Sequence, residues 1–383
     1  MKRIIMFLVL AVVMGITIHA QEIANFMRTA IVSPEFNANK DSVTFRISGN
    51  YATMVKLNAS WLMGTPTPQP ELKKGDKGIW TITLPAPEPE IYTYSFIVDG
   101  VSVNDASNIF EQRDGTRFLS VLLVPGPRSE NYVTAGKRGN LERVWYSSPT
   151  LGFNRAMMVY TPYGYYDKAN AGKKYPVLYL LHGGGGDEDA WVSMGRACEI
   201  LDNLIEKGQA VPMLCVMPNG NPGQQAARTF QIPEKTIDRN DPTTANLYVN
   251  SLAKDIIPYI DSHYRTVAKK SGRAVAGLSM GGGHTFSVTT LYPDLFDYIC
   301  PMSSGVRDAE VAKTGLQGIK NAGYKLYWIG CGDKDALAYQ NSQRLDGVLN
   351  ELGMQHTLFI SGGGHEWKNW RLYLNTFGPL LFK

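Results

Sequence analysis

The spacing of hydrophobic and polar positions changes character part-way along this chain. From about residue 26 to residue 125, short runs alternate apolar with polar side chains. Val43-Thr44-Phe45-Arg46-Ile47, Met54 to Leu57, Trp80-Thr81-Ile82-Thr83-Leu84 and Tyr92-Thr93-Tyr94-Ser95-Phe96 are the clearest. A period of two is that of a strand with one buried and one wet face. Asp99-Gly100 and the stretch Lys74 to Gly78 supply turns, and Val121 to Val124 would be a last strand. With no long helical pattern between them, these runs predict a small all-β, immunoglobulin-like sandwich over residues 26–124. Residues 125–139, with prolines, glycines and charges, read as a linker.

From residue 140 to 383 the pattern is different. Lys174 to Leu181 and Met213 to Met217 are continuous apolar runs, as strands covered on both faces require. Tyr298 to Cys300, Lys325 to Ile329 and Thr357 to Ile360 are further strand candidates, and Leu252 to Tyr264 and Tyr339 to Leu352 have helical spacing. Such alternation predicts an α/β/α sandwich built on a central sheet.

The first residues carry a separate signal. Met1-Lys2-Arg3, an apolar run from Ile4 to Ile18 and a polar stretch from Gln21 predict a cleaved secretory signal over residues 1–20. The run is marginal for spanning a bilayer, so export to the periplasm or beyond is expected rather than stable membrane insertion. Lysine and arginine exceed aspartate and glutamate by 38 to 34, a net charge of +4. Lys2 and Arg3 supply half of that surplus, so no basic patch argues for nucleic-acid binding. Cys198, Cys215, Cys300 and Cys331 are too few for a disulfide scaffold, and no C-x-x-C occurs. The histidines never fall into a metal-ligand spacing, so no metal site is expected.

Gly277-Leu278-Ser279-Met280-Gly281 is a G-x-S-x-G sequence between the apolar run Arg273 to Ala276 and a helix-opening stretch, Gly281 to His284. Strand, sharp turn and helix in that order expose a nucleophilic serine above the sheet of an α/β-hydrolase. A serine hydroxyl needs a base to take its proton and an acid to orient that base, and in this fold they follow in the order Ser, acid, His. His365, in Ser361-Gly362-Gly363-Gly364-His365-Glu366-Trp367, is the candidate base. Asp333 and Asp335, after the run Lys325 to Ile329, are the candidate acids. For the oxyanion, one donor is expected from the N–H of Met280 and a second from His182-Gly183-Gly184-Gly185-Gly186, with Gly184 preferred and Gly183 next. His182 and His284 read as structural histidines. The glycine run lacks the G-K-[ST] ending of a nucleotide loop.

These four blocks in order, His182 to Gly186, Gly277 to Gly281, Gly332 to Asp335 and Gly363 to Trp367, resemble carbohydrate esterase family 1 and the related esterase D group. The resemblance implies an α/β-hydrolase fold over residues 140–383, no cofactor, and cleavage of feruloyl or acetyl esters on plant xylan or its oligosaccharides. It also selects Asp335, since the family's aspartate closes a G-x-x-D sequence. Feruloyl ester cleavage is the leading expectation and acetyl-xylan cleavage the runner-up; small secreted esters such as siderophores, and a non-catalytic glycan-binding role, are the alternatives. Trp191 and Trp367 are candidates to wall a pocket for a flat acyl group. Around Trp61, Trp80 and Tyr92 to Gly100 the first domain is similar to early-set sandwich modules related to glycogen-binding domains. Docking on the catalytic domain is its expected role, and sugar binding the alternative.

Overall fold

The computed structural model describes residues 31–223 and 246–383. The expected signal peptide, 1–20, and the first residues of the expected sandwich, 26–30, lie outside the described residues. The chain divides into two compact units, the first formed by residues up to 88 with 92–111 and 120–122, the second by residues 89–91, 112–119 and 123–383.

Nine strands open the described chain: β1 (Glu35–Phe36), β2 (Ser42–Ser48), β3 (Val55–Ala59), β4 (Lys73–Lys74), β5 (Ile79–Pro85), β6 (Ile91–Val98), β7 (Val101–Val103), β8 (Glu111–Asp114) and β9 (Arg117–Leu123). They form one sheet in the order β1-β2-β5-β4 and another in the order β3-β6-β9-β8, with β7 beside β6. The alternation seen in the sequence sorts their side chains: Val43 and Phe45 of β2, and Val55 and Leu57 of β3, point inward. Phe45 meets Tyr94 edge-on at 4.9 Å, so the inner faces of the two sheets share one core. Trp80 and Phe96 are buried in the same core.

In the second unit, eight strands make one sheet: β10 (Asn140–Ser148), β11 (Phe153–Thr161), β12 (Val177–Leu181), β13 (Leu214–Pro218), β14 (Arg273–Leu278), β15 (Tyr298–Met302), β16 (Leu326–Gly332) and β17 (Thr357–Ser361). Their order is β10-β11-β13-β12-β14-β15-β16-β17. β11 runs antiparallel to β10 and β13, and from β13 to β17 all neighbours are parallel. Every residue of β12 to β15 is buried, which is why they read as continuous apolar runs.

The helices are α1 (Ala190–Ser193), α2 (Ala197–Glu206), α3 (Leu247–Ser251), α4 (Ile257–His263), α5 (Met280–Leu291), α6 (Ala309–Ala322), α7 (Tyr339–Glu351) and α8 (Trp367–Phe377), with a π-helical turn, Leu252–Ile256, joining α3 to α4. One sheet face buries Val177, Tyr179 and Val275 against Leu252, Ile256 and Ile260, and Ile299, Tyr327 and Ile329 against α6 and α7. On the other face Trp328 packs on Tyr373 and Phe377 of α8. Helices therefore cover both faces, as the sequence pattern predicts.

Two regions depart from the sequence reading. The hairpin β10–β11 and the helices α2, α6 and α8 were not singled out by the apolar pattern, although Leu141, Arg143 and Trp145 alternate outward on β10 as an edge strand's side chains do. Residues 125–139 are no free linker. They carry a 3-10 helix, Pro127–Tyr132, whose Tyr132 is buried. Its carbonyl accepts from Arg196, while Val133 O accepts from Asn203 Nδ2 at 2.8 Å. The prolines and glycines fix turns, and α2 and its flanks satisfy the backbone.

Candidate active site

The sheet topology brings the motif loops together. β12, β14, β16 and β17 are parallel, so the segments that leave their carboxyl ends emerge on one rim, where parallel α/β sheets place their ligands. Those segments are His182 to Gly186, Ser279, Asp333 to Asp335 and Gly362 to His365.

Ser279 stands between β14 and α5 with φ 51° and ψ −114°, a backbone conformation that a residue with a Cβ rarely adopts. The turn is held from both sides. Ser279 N–H donates to Met302 O at 2.9 Å, and Gly283 N–H returns to Ser279 O at 3.0 Å. Only glycine fits the flanking motif positions: a Cβ on Gly277 would lie 2.2 Å from Gly281 O, and one on Gly281 2.6 Å from the carbonyls of Leu181 and His182. The serine is half-buried and sits at the N-terminal end of α5, where backbone N–H groups are free to face negative charge.

Asp335 is fully buried and His365 partly exposed. The imidazole Nδ1–H donates to the Asp335 carboxylate, at 3.0 Å from Oδ1 and 2.9 Å from Oδ2. Oδ1 also accepts the N–H groups of Leu337 and Ala338, at 3.1 and 3.0 Å, so the loop itself holds the carboxylate. Asp333 is exposed and accepts Gly363 N–H at 2.9 Å, tying the loop after β16 to the loop that carries the histidine. Of the two candidate acids, only Asp335 is paired with the imidazole.

The imidazole is edge-on to Trp370, with ring centroids 5.1 Å apart. Trp370 Nε1–H donates to Ser303 Oγ at 2.9 Å, and Ser303 follows Met302, the partner of Ser279 N–H. A short series of contacts thus holds the imidazole and the serine over the same end of the sheet. With Nδ1 committed to Asp335, Nε2 is the nitrogen left to take a proton.

Gly183 is the glycine that abuts the serine: a Cβ built on it would lie 3.3 Å from the Ser279 Cβ. Gly184, the preferred second donor, is exposed with open space around its α-carbon. Met280 N begins α5 beside the serine. His182 is buried; its Nδ1–H donates to Gly183 O at 2.7 Å, and its Nε2 accepts Gly220 N–H at 2.7 Å. Burial pushes its pKa down to about 4, so it is a neutral brace for the loop. His284 packs on Tyr248, ring centroids 4.7 Å apart, and burial pushes it down to about 3.

The two tryptophans separate. Trp191 is only 1% exposed and donates Nε1–H to Leu181 O at 3.0 Å. It is a packing residue behind the glycine loop and cannot wall a pocket, contrary to its expected role. Trp367 is half-buried and stacks edge-on against both Trp191 and Trp370. Ser303, Trp370 and Arg155 escaped sequence reading. Arg155 is fully buried and donates to the carbonyls of Asn219, Asn221 and Pro222, at 2.6, 2.9 and 2.7 Å, fixing the loop after β13. A lone arginine directly before the apolar run Ala156 to Val159 is the available signal. All four cysteines are free thiols, and no cluster of metal-ligating side chains occurs among the described residues. No helix among the described residues is long and apolar enough to cross a membrane.

Comparison with known proteins bears on the family and the fold. Residues 148–378 match the Esterase family, described as "Putative esterase". The endo-1,4-beta-xylanase/feruloyl esterase of Xylanibacter ruminicola is 32% identical over 82% of this chain, which spans only 41% of that protein's length. Endo-1,4-beta-xylanase Y of Acetivibrio thermocellus is 25% identical over 60% of the chain and 22% of its own length. Among solved structures, a CE1 ferulic acid esterase of Anaeromyces mucronatus matches 67% of the chain and 97% of its own, at TM-score 0.54 and 23% identity. The enterochelin esterase of Shigella flexneri matches 93% and 99%, at TM-score 0.65 and 15% identity. At these identities the structural likenesses speak for the fold alone.

Proposed function

The chain belongs to the Esterase family of carboxylic ester hydrolases, and from that premise we propose that it is a serine esterase releasing feruloyl groups from plant arabinoxylan through an acyl-enzyme. The Asp335–His365 pair, on the same rim of the sheet as the strained Ser279, is the observation that supports the mechanism.

His365 Nε2 takes the Ser279 proton as Oγ attacks the ester carbonyl. The oxyanion is met by the N–H of Met280 and by an amide of the loop Gly183 to Gly186, each donor being worth about 3 kcal/mol of transition-state stabilisation. As the bond from the carbonyl carbon to the sugar oxygen breaks, the imidazolium gives its proton to that oxygen, releasing the sugar as an alcohol and leaving a feruloyl ester on Ser279. Water, deprotonated by the same histidine, attacks that ester and frees ferulate and the serine. Asp335 keeps the proton on Nδ1 and stabilises the imidazolium.

The feruloyl reading is supported by the Xylanibacter relative, which is named for that activity. Acetyl-xylan cleavage is the second reading, favoured by the burial of Trp191, which leaves Trp367 alone of the two expected pocket walls. We further read the two facing sheets of the first unit as an immunoglobulin-like module, and residues 1–20 as an export signal directing the protein to the periplasm or beyond.

Comparing kcat/KM on methyl ferulate, acetylated xylan and a siderophore ester tests the substrate. A clear preference for acetylated xylan refutes the feruloyl reading. Ser279→Ala must abolish turnover with folding retained; a wild type silent on every ester refutes the enzyme. Mass measurement of the mature N-terminus tests the signal.

A further inference from the structure

An oxyanion donor works only when its position is set before the charge develops. Gly183 to Gly186, four glycines in a row, have little stiffness of their own, so it has to come from their surroundings. His182 braces one end, and Asn221 Nδ2 donates to Gly186 O at 2.8 Å. Glu188 receives Arg143 Nη1 at 2.5 Å and Asn219 Nδ2 at 3.0 Å, and Asp189 receives Arg143 Nη2 at 2.7 Å. All of these side chains lie between residues 140 and 383, where sequence reading places the catalytic domain.

One does not. Asp187, the residue directly after the glycines, is ion-paired with Arg113, and the two side chains are 3% and 11% exposed. The Asp187 Oδ1 also accepts Asp189 N–H at 3.0 Å, at the hinge where the loop enters α1. Arg113 belongs to residues 112–119, which are part of the second unit although their sequence pattern reads as sandwich. Its Nη1 donates at 2.8 Å to the carbonyl of Gly115, in the turn between β8 and β9. Gly115 faces the glycine loop in turn: a Cβ built on it would lie 3.7 Å from Gly185 O. The guanidinium thus joins a hairpin turn to the hinge of the glycine loop, and its ion pair with Asp187 is shielded from water, where an ion pair is screened least.

We propose, on the ester-hydrolase reading above, that Arg113 is a positioning residue for the oxyanion loop. Its ion pair with Asp187 holds Gly183 to Gly186 in the geometry that meets the tetrahedral intermediate, so the turn at 112–119 is part of the catalytic apparatus rather than of an accessory module. It acts through Asp187, and its loss therefore lowers the rate of acylation rather than the capture of substrate.

The test uses the full chain with Arg113→Ala, Arg113→Lys and Asp187→Asn, 4-nitrophenyl acetate as substrate, and thermal melting to fix the folded fraction. Arg113→Ala is expected to lose roughly 10- to 100-fold in kcat, with KM changed by no more than about threefold. Phosphonylation of Ser279 by a fluorophosphonate needs the same donors and should slow in parallel. Arg113→Lys should recover part of the loss, since an ammonium can meet the carboxylate but not hold the Gly115 carbonyl in the same fork. The double variant Arg113→Ala/Asp187→Asn should be no worse than the weaker single one, because both act through one contact. A kcat for Arg113→Ala within about twofold of wild type, a loss confined to KM, or a loss that merely follows the folded fraction overturns the role. Should Arg113→Ala not fold, Arg113→Lys and Asp187→Asn decide by the same criteria. A wild type without esterase activity defeats the enzymatic reading itself. An active wild type with an indifferent Arg113→Ala defeats only the positioning role.

Discussion

Replacing Asp335 by asparagine changes one oxygen for one NH2 group, and the structure says which way the amide must turn. Oδ1 of Asp335 accepts the N–H groups of Leu337 and Ala338 at 3.1 and 3.0 Å, so the amide oxygen has to occupy that position. The NH2 group then falls where Oδ2 stood, 2.9 Å from His365 Nδ1. An Nδ1–H would oppose the NH2 group there and keep only the amide oxygen, 3.0 Å away and already shared with two backbone N–H groups, so the tautomer with its proton on Nε2 and Nδ1 as the acceptor is favoured. An Nε2–H imidazole cannot take the proton of Ser279. The expected loss in kcat is on the order of 10⁴-fold, or about 5.5 kcal/mol of transition-state stabilisation. Volume and backbone hydrogen bonds are kept, so the melting temperature should move little. The assay is kcat on 4-nitrophenyl acetate at pH 7.5, with Asp333→Asn as the contrast. Asp333 only ties Gly363 to its loop, and its variant should stay within about tenfold of wild type. An Asp335→Asn enzyme keeping a tenth of the wild-type kcat, or an Asp333→Asn enzyme that is the more damaged of the two, would refute the assignment of the acid.

Gly277→Ala would drive a Cβ to 2.2 Å from Gly281 O, so urea unfolding should show a loss of about 1–3 kcal/mol together with the activity; a stable, active variant would contradict the close approach at the turn. Arg371 is buried between Glu90, at 3.0 Å, and the carbonyls of Met194 and Ile91, so Arg371→Ala leaves a buried carboxylate with Arg128 as its remaining charge partner and the N–H of Ile91 as a donor, and should cost about 3–5 kcal/mol in the same assay. Less than about 1 kcal/mol would mean that water enters and solvates Glu90. Burial lowers the pKa of His182 to about 4 and of His284 to about 3, below the ordinary value of 6.5. The unfolded chain therefore binds protons first on acidification, and the stability these residues lend is complete above pH 6.5 and is lost as pH falls toward 4. At pH 5 the loss is on the order of 2 kcal/mol for each histidine, and His284→Phe should flatten the decline in the urea midpoint between pH 7 and pH 5. An unchanged slope would show that these histidines are not buried neutral.

Much of this protein was readable from sequence because its signals are local. Alternation at period two marked the strands of the first unit, since each has one face on a core. Continuous apolar runs marked β12 to β15, whose residues are all buried because helices cover both sides of that part of the sheet. The glycines of the G-x-S-x-G turn declare themselves because no other residue tolerates contacts of 2.2 and 2.6 Å with the backbone. What the residue order could not supply was adjacency. Asp333 and Asp335 are equivalent as loop aspartates by pattern alone; the G-x-x-D resemblance points to Asp335, and the packing of the loop after β16 against the one after β17 sets which of them meets His365. Trp191 and Trp367 look alike in sequence, yet one is sealed behind the glycine loop and the other is half-open. Ser303, Trp370 and Arg113 carry no motif at all; each matters through a neighbour dozens of residues away or more, brought close only by the folding of the chain. Periodicity records whether a side chain faces water or core, which each segment specifies by itself. Partnership between distant side chains is a property of the closed fold, and only the tertiary structure could decide it.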